Sequence, residues 1–399
     1  MATVGSRGDN EPFRALALEA ASAGHDVFFA HTSDIKNDAT APYTDLALPG
    51  SMASVVADQG VSPFTAVLRY FSVIKPLLTG VWEATTEHIL ALKPDVVVYH
   101  PKVVTAAAAA HAVGAIALRA ELVPMLTPTA DFAPVGVPSW IPQSLRVASY
   151  RLVHASMAGF TRKATRLAER LGAIRAEPDI TLVPVSPTLL ARPADWPEDV
   201  VITGAWHSPQ GEELDQELAT FLEFGPILYV GFGSMKDSHG ARRAEAIINA
   251  ARSMEMKILL VTGWGGVVAN AVHEAAPDIL VRKSVSHAAV LPHCAAALHH
   301  GGAGTIHALL RSGTPGVIMP FLADQAWWAH HLYQQRLGPP ALSRETRDYS
   351  VLTASLRVAL SYRDVLKIAS FAMDAEDGLA EAVRVIEEAE AGIHPFRNL

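Results

Sequence analysis

Ala-Ala-Ala-Leu-His-His-Gly-Gly-Ala-Gly-Thr, residues 295–305, is the stretch that decides the fold. The apolar residues Ala295–Leu298 are typical of a buried strand, and Ile306–Arg311 follows as a helical run. Glycines at a strand-to-helix turn let backbone N–H groups approach an anion, and the helix N-terminus adds its positive dipole. The block therefore predicts a strand, a turn and a helix of a parallel α/β sheet, with a phosphate site at the turn.

The histidines and the threonine of this block favour a phosphate site over a glycine turn that only packs a helix against a sheet. His300 offers a side-chain donor, charged or neutral, and Thr305 offers a hydroxyl donor. No Gly-Lys-Ser or Gly-Lys-Thr follows, so the block is not a P-loop. Its spacing also departs from the dinucleotide-binding fingerprint.

Short runs rich in Val, Ile and Leu alternate with longer Ala-rich runs on both sides of this block. This alternation predicts an α/β protein with parallel sheets and helices on both faces, which binds ligands beyond the carboxyl ends of its strands. A stretch with Gly, Pro and Ser, Thr203–Gly211, is predicted to link two such halves. The strand candidates are Val27–Ala30, Asp95–Tyr99, Ile116–Leu118, Thr181–Val185, Val200–Thr203, Ile227–Val230, Lys257–Val261, Ile279–Val281, Ala295–Leu298 and Gly316–Met319.

Two further motifs follow strand candidates of the second half. Gly231-Phe232-Gly233-Ser234 is a second glycine turn, and two such turns in one domain favour a nucleotide diphosphate site, although a plain tight turn explains either alone. Asp324 and Gln325 place a carboxylate beside an amide, a pair suited to vicinal sugar hydroxyls. The spacing slightly favours the alternative, in which Asp324 is the N-cap of the helix that follows.

The first half contributes Gly5-Ser6-Arg7-Gly8-Asp9, directly after the strand candidate Met1–Val4. Asp9 is a candidate general base if burial raises its pKa, but the residues alone favour a cap for the helix that starts near Pro12. Met1–Val4 is shorter than the about five residues of a usual strand, so a few residues are expected to be missing in front.

The segment Pro124–Pro142 is rich in proline and long for a loop in a compact domain, which predicts a functional loop or a lid. It carries Phe132 and Trp140. With three aromatic residues of an earlier segment they fit an apolar ligand pocket, and each fits an ordinary core position equally well. Those three are Phe64, Tyr70 and Phe71.

Composition excludes several classes of protein. The 399 residues include 32 Lys and Arg against 40 Asp and Glu, and this net charge of −8 argues against a broad nucleic-acid-binding face. A single cysteine, Cys294, excludes an internal disulfide framework. No run reaches the roughly 18 to 20 apolar residues of a membrane span, and no signal sequence is found, so a cytoplasmic location is expected. His-Glu-x-x-His and Gly-x-Ser-x-Gly patterns are both missing from the sequence, so neither a metal site nor a serine hydrolase is predicted.

Five blocks, in order along most of the chain, resemble the family 1 glycosyltransferases of the GT-B fold. The nearest branch is that of bacterial natural-product and sterol glucosyltransferases. The resemblance implies two Rossmann-like doubly wound domains facing across a cleft. It implies an acceptor-binding domain at 1–205, a nucleotide-sugar-binding domain at 206–375, and a C-terminal helix at 376–399 that packs back on the first domain. The blocks are Gly5–Asp9 with Pro12, Leu126–Thr129, Tyr229–Met235, His299–Thr305 and Pro320–Gln325.

The resemblance also assigns roles to residues. Asp9 corresponds to the proposed general base of an inverting transferase, with Ser6 and Arg7 lining the acceptor crevice. Ser284 and Val285 would hold the base of the donor, and Asp324 and Gln325 its sugar. The donor diphosphate would be bound by His300, Gly302, Ala303, Gly304, Thr305, Gly233 and Ser234.

The implied partners are a UDP- or TDP-sugar as co-substrate and a lipophilic hydroxylated acceptor, a natural-product aglycone or a sterol-like molecule. No cofactor, metal, nucleic acid or stable membrane insertion is expected, whereas peripheral membrane contact is compatible with this assignment. The alternative is a non-catalytic auxiliary or binding protein that retains the fold. The presence of Asp9, His300 and Asp324 favours the enzyme.

Overall fold

The structure, a computed structural model, describes residues 1–34, 39–51, 74–207, 214–233, 235, 239–263 and 265–393. The chain divides into two compact units. The first contains the described residues of Met1–Val55, Val61–His207 and Asp377–Leu399, and the second contains those of Ser208–Glu376. The chain thus leaves the first unit after His207 and returns to it at Asp377.

Strands and helices alternate through both units. The elements up to His207 are α1 (Arg7–Ser22), β1 (Phe28–Thr32), β2 (Thr44–Leu48), α2 (Lys75–Leu92), β3 (Val96–Tyr99), α3 (Ala106–Ala112), β4 (Ile116–Ala120), α4 (Gln143–Leu171), β5 (Ile180–Val183) and β6 (Val200–Ile202). The second unit contains α5 (Gln216–Leu222), β7 (Ile227–Gly231), α6 (Gly240–Arg252), β8 (Lys257–Val261), α7 (Ala271–Glu274), β9 (Ile279–Arg282), α8 (His287–Val290), a 3-10 turn (Leu291–His293), β10 (Ala296–His299), α9 (Ala303–Arg311), β11 (Gly316–Ile318), α10 (Ala323–Gln334), α11 (Tyr349–Leu360) and α12 (Arg363–Asp374). The last helix, α13 (Gly378–Glu390), belongs to the first unit.

The N-terminal residues complete the sheet of the first unit. β1 pairs with β2, and β3, β4, β5 and β6 pair in that order, all in parallel. Ala2 forms parallel bridges to both Ala30 and Tyr99. The Thr3 N–H donates to Ala30 O at 3.0 Å, and the His100 N–H donates to Ala2 O at 2.9 Å. The first residues therefore lie between β1 and β3, and the turn at Gly5 opens at the carboxyl edge of the sheet.

The second unit contains one five-stranded parallel sheet in the order β11, β10, β7, β8, β9. The apolar runs Ile227–Val230 and Ile258–Val261 are continuous because helices cover both faces of the sheet. β10 pairs with β7 so that His299 faces Gly231 in the register. The glycine turns that follow these two strands therefore emerge side by side.

Ten of the eleven strand candidates correspond to strands, and Met1–Val4 contributes only isolated bridges at Ala2, which confirms the predicted α/β fold with parallel sheets. The sequence did not predict β2, an edge strand with only one fully buried residue, Leu48. The predicted linker is packed at its beginning, because Trp206 is buried in the core of the first unit and meets Phe13 edge to face at 5.8 Å.

α13 completes the same core, where Leu379 and Val383 join residues of α1. Gly204 and Gly378 approach so closely that a Cβ atom on Gly204 would lie 2.9 Å from the Gly378 Cα atom. None of the helices in the described part of the chain is long and apolar enough to cross a membrane.

Candidate active site

The two glycine turns of the second unit meet around His300. A Cβ atom on Gly233, whose φ is +55°, would lie 3.0 Å from His300 Cε1. A Cβ atom on Gly302 would lie 2.5 Å from His300 Nε2. The imidazole ring therefore lies between two positions that only glycine fits, and the structure brings these predicted diphosphate residues together. Ser234 lies outside the described residues.

The first turn of α9 presents backbone donors beside this ring. Gly302 is the N-cap, and Ala303, Gly304 and Thr305 are the first three residues of the helix. Their N–H groups have no acceptor within the helix, and they lie at the positive end of its dipole. Among the described residues, a Cβ atom on Gly304 would meet no atom within 4 Å. An anion the size of a phosphate is the natural partner of these donors.

Both histidines of the block are neutral at physiological pH. Burial lowers the pKa of His300 to about 4, against an opposing contribution from the Gly231 backbone. Burial lowers the pKa of His299 well below its usual value, and the neighbouring His300 and His287 act in the same direction. His299 Nδ1 accepts a hydrogen bond from the Gly301 N–H at 3.2 Å. His299 thus holds the turn, and His300 presents a neutral, polar ring beside it.

A fully buried arginine packs against the Gly231–Gly233 turn. The Arg243 guanidinium donates to Gly266 O at 2.6 Å and to Arg344 O at 3.2 Å. It also lies 4.8 Å from the Phe321 ring centroid and 5.5 Å from that of Phe232, within the turn. The sequence does not point to this residue, because an arginine on an amphipathic helix ordinarily faces solvent.

Asp324 and Gln325 are the second and third residues of α10. Neither the predicted sugar-binding role nor the alternative N-cap role holds for both residues. The helix N-cap is Leu322, so Asp324 is the second helical residue and not the N-cap. Gln325 is 3% exposed, and its Oε1 accepts from the N–H groups of Phe321 (2.7 Å) and Leu322 (3.0 Å). The amide oxygen predicted to bind sugar hydroxyls therefore caps the helix, and the predicted sugar contact of Asp324 stays a prediction.

Ser284 and Val285, the predicted contacts of the donor base, follow β9 at the carboxyl edge of the same sheet. Ser284 is exposed, whereas Val285 is half-buried and packs against the core of the second unit. Tyr229 lies next to this segment, where its hydroxyl and His287 Nε2 are 2.9 Å apart. Ser284 and Val285 thus lie at a sheet edge that a ligand can reach.

In the first unit, Asp9 is the third residue of α1 and closes a capping box with Ser6. Its Oδ2 accepts from the Ser6 N–H at 2.7 Å and from the Ser6 hydroxyl at 3.1 Å. Its Oδ1 accepts from Lys102 Nζ at 2.8 Å and lies 3.2 Å from His100 Nε2. Arg7 is exposed, and its Nε lies 3.7 Å from Glu11 Oε1.

The condition set for Asp9 as a general base, a pKa raised by burial, is not met in this structure. Burial does raise the pKa of Asp9, but the Lys102 ammonium and the hydrogen bond from His100 outweigh it and hold the pKa well below the usual value. Asp9 is therefore a fully ionised and weakly basic carboxylate in this state.

His100 and Lys102 were missed by the sequence analysis. They follow β3, so they lie at the same sheet edge as Asp9, and polar residues directly after a strand were the signal available. The His100 Nδ1 accepts from the Lys102 N–H at 3.1 Å, which leaves the proton on Nε2, facing Asp9. Burial, and next Lys102, lower the pKa of His100, so the ring donates as a neutral group.

The segment Pro124–Pro142, predicted to be a functional loop or a lid, is fixed to the first unit at its beginning. The buried Glu121 carboxylate accepts from the Leu126 N–H and the Thr127 hydroxyl, both at 3.1 Å. Asp195 accepts from the Thr129 hydroxyl and the Ala130 N–H, both at 2.7 Å. These bonds make the block Leu126–Thr129 a fixed wall of the unit. Of the five aromatic residues suggested for a pocket, Phe64, Tyr70 and Phe71 lie outside the described residues.

Within the described ranges, no group of three or more His, Cys, Asp and Glu side chains is arranged to hold a metal ion. The neighbouring His330 and His331 lie on α10, where the ring of His331 stacks on Trp327 at a centroid distance of 5.1 Å. Among the described residues, the hydrogen-bond donors available to an anion are therefore the N–H groups of the glycine turns, the N-terminus of α9 and His300.

Comparison with known proteins adds a family match and relatives along almost the whole chain. The family model of the Erythromycin biosynthesis protein CIII-like, C-terminal domain matches residues 263–383. The chain is 25% identical over 408 residues to Sterol 3-beta-glucosyltransferase UGT80B1 of Arabidopsis thaliana, covering 95% of this chain and 66% of that protein. It is 27% identical over 419 residues to the Vancomycin aglycone glucosyltransferase of Amycolatopsis orientalis, covering 98% of this chain and 97% of that protein.

Solved structures match the fold. The glycotransferase of kitacinnamycin has a TM-score of 0.73 at 20% identity and covers 98% of each chain. Glycosyltransferase VinC in complex with DTDP has a TM-score of 0.66 at 18% identity, covering 98% of this chain and 100% of that one. The chain therefore has the fold of these solved glycosyltransferases, matches the EryCIII-like C-terminal domain over residues 263–383, and is similar along almost its whole length to sterol and antibiotic glucosyltransferases.

Proposed function

We propose that this protein transfers a sugar from a nucleotide-diphosphosugar, a UDP- or TDP-sugar, to a hydroxyl group of a lipophilic small molecule. The observation that carries the proposal is the convergence of two glycine turns, the first turn of α9 and His300 at one sheet edge. A diphosphate matches this site because it needs several fixed donors that approach without side chains in between.

The donor end of the proposal uses residues of the second unit. The N–H groups of Gly302, Ala303 and Gly304 and the His300 ring stabilise the negative charge that develops on the departing diphosphate. Asp324 binds sugar hydroxyls, and Ser284 with Val285 contacts the base. The structure of a relative with bound DTDP supports the nucleotide class for that protein, and we extend the class to this chain.

The acceptor end uses Asp9 of the first unit. The acceptor hydroxyl gives its proton to the Asp9 carboxylate, and its oxygen attacks the anomeric carbon. The bond from that carbon to the diphosphate oxygen breaks, and the electron pair leaves with the nucleoside diphosphate. Attack opposite to the leaving group inverts the configuration at the anomeric carbon, so inversion is part of the proposal.

A lipophilic acceptor agrees with apolar side chains that the first unit exposes. Trp140 is 81% exposed, and Leu145 and Leu152 on α4 are 51% and 68% exposed. The relatives named above act, by their names, on sterols and on the vancomycin aglycone. The cytoplasmic location remains a prediction from the sequence.

The test is a panel of UDP- and TDP-sugars incubated with sterol and aglycone acceptors, with products followed by mass spectrometry. Asp9→Asn is expected to lose transfer by at least about 100-fold while donor affinity stays within a few-fold, because the base does not contact the donor diphosphate. Asp26→Asn, an exposed carboxylate in the same unit, is the matched control and should keep wild-type transfer.

Full transfer by Asp9→Asn would overturn the assignment of the base. Tight donor binding by the wild type, with neither transfer nor donor hydrolysis across the panel, would favour the non-catalytic auxiliary protein instead. The configuration of the product sugar, determined by NMR, tests inversion separately.

A further inference from the structure

Asp9 receives more hydrogen bonds than a free general base would. Four donors surround its two oxygens: the Ser6 N–H, the Ser6 hydroxyl, Lys102 Nζ and His100 Nε2. The Ser6 donors fix Oδ2 to the start of α1. Oδ1, the oxygen left for an acceptor hydroxyl, is the one that Lys102 and His100 contact.

The backbone around Lys102 is held firmly. The Lys102 carbonyl accepts from Trp82 Nε1 at 2.7 Å, and its N–H donates to His100 Nδ1 at 3.1 Å. His100 is buried, and its own N–H joins the sheet through Ala2. The Lys102 side chain, in contrast, is 41% exposed, so water can solvate its ammonium when it leaves Oδ1.

We infer that Lys102 masks the Asp9 carboxylate against water until an acceptor hydroxyl displaces the ammonium, and that His100 is the positioning residue that keeps Oδ1 in place. The inference rests on the proposed function, in which Asp9 is the base. Without the mask, Asp9 accepts a proton from water, the water oxygen attacks the anomeric carbon, and the sugar–diphosphate bond breaks with its electrons on the nucleoside diphosphate. The donor is then hydrolysed without transfer.

The charges that face Asp9 support this role. Lys102 and His100 approach from the end of β3, and Ser6 approaches from the start of α1. The next charged side chains on α1, Arg7 and Glu11, are exposed and face each other. Among the described residues, Lys102 is therefore the cation in contact with Asp9, consistent with the depressed pKa of the carboxylate.

The first experiment needs no substrate. Asp9 is titrated by carboxyl ¹³C NMR in the wild type, Lys102→Met and Lys102→Arg, with Asp9→Asn used for assignment. Lys102→Met is expected to raise the Asp9 midpoint by about one to three pH units, and Lys102→Arg should leave it low because the charge is kept. An unchanged midpoint in Lys102→Met would overturn the inference.

The second experiment measures nucleoside diphosphate released from the donor without acceptor. Lys102→Met is expected to increase this hydrolysis roughly three- to tenfold, since proton abstraction speeds up with basicity. The double variant Lys102→Met/Asp9→Asn should lose the increase. Lys163→Met, a lysine of the same unit 4.8 Å from the Trp82 ring centroid, should behave like the wild type.

A Lys102→Met hydrolysis rate equal to that of the wild type, or an increase that survives in the double variant, would also overturn the mask. Failure of the proposed function looks different. In that case the wild type uses no donor in the panel, and the NMR titration alone decides whether Lys102 controls Asp9.

Discussion

At the scale of single residues, the surroundings of His300 determine both the position of its ring and its lack of charge. The two glycines that flank its ring leave the space that the ring fills, and burial keeps it neutral. The His300 ring therefore binds a proton with a pKa of about 4 in the folded state, and with a pKa near 6.5 in the unfolded chain. His300 stabilises the fold above that pH and loses this contribution as the pH falls toward 4.

The measurable consequence is a pH dependence carried by this one side chain. Between pH 7 and pH 5, the wild type should lose roughly 2 kcal/mol more of its free energy of unfolding than His300→Gln does. Urea unfolding followed by tryptophan fluorescence at both pH values measures the difference. His100 titrates with the same sign and His111 with the opposite one, and both contributions cancel because both residues are present in both proteins. The His299 contribution has the same sign as that of His300 and cancels only in part, because His300 itself lowers the pKa of His299. Equal losses in the two proteins would show that His300 is solvated.

At the scale of elements, the start of α10 is capped by the side chain of Gln325, whereas the sequence had favoured Asp324 as the cap. Gln325 satisfies two backbone N–H groups that the helix leaves open, at the point where the chain turns from β11 into α10. Gln325→Ala should therefore lower the free energy of unfolding by about 1 kcal/mol. Gln334→Ala, the same change at the exposed end of the same helix, should have almost no effect. Equal effects of the two substitutions would contradict the capping role.

The strands were predictable because parallel strands buried on both faces carry continuous apolar runs, as in Ile227–Val230. The glycine motifs were predictable for a related reason, since each follows such a strand. The contact of Asp9 with His100 and Lys102 was not predictable in the same way. Their position after a strand places them at the sheet edge, but only the order of strands in the sheet brings them to Asp9. The same holds for Arg243, whose aromatic neighbours come from two separate turns.

At the scale of the whole molecule, the contact between Gly204 and Gly378 fastens α13 to the first unit. Gly204→Ala adds a Cβ atom 2.9 Å from the Gly378 Cα atom at a φ of +91°. Gly136→Ala is the matched control, because its φ of +87° imposes a similar backbone strain, and no atom of the described residues lies within 4 Å of the added Cβ atom. Gly204→Ala should cost about 1 to 3 kcal/mol more than Gly136→Ala in urea unfolding, as expected for overpacking. Equal costs would mean that the helix shifts freely at this contact.

The path of the chain between the two units has a consequence for synthesis on the ribosome. Domains generally fold as units while the chain emerges from its N-terminal end. Here the second unit, whose described residues lie in one stretch, can close before translation ends, whereas the first must wait for α13 to cover α1 and Trp206. The unit that begins to emerge first is thus completed last, and its apolar surface stays open to chaperones while the other unit is being made.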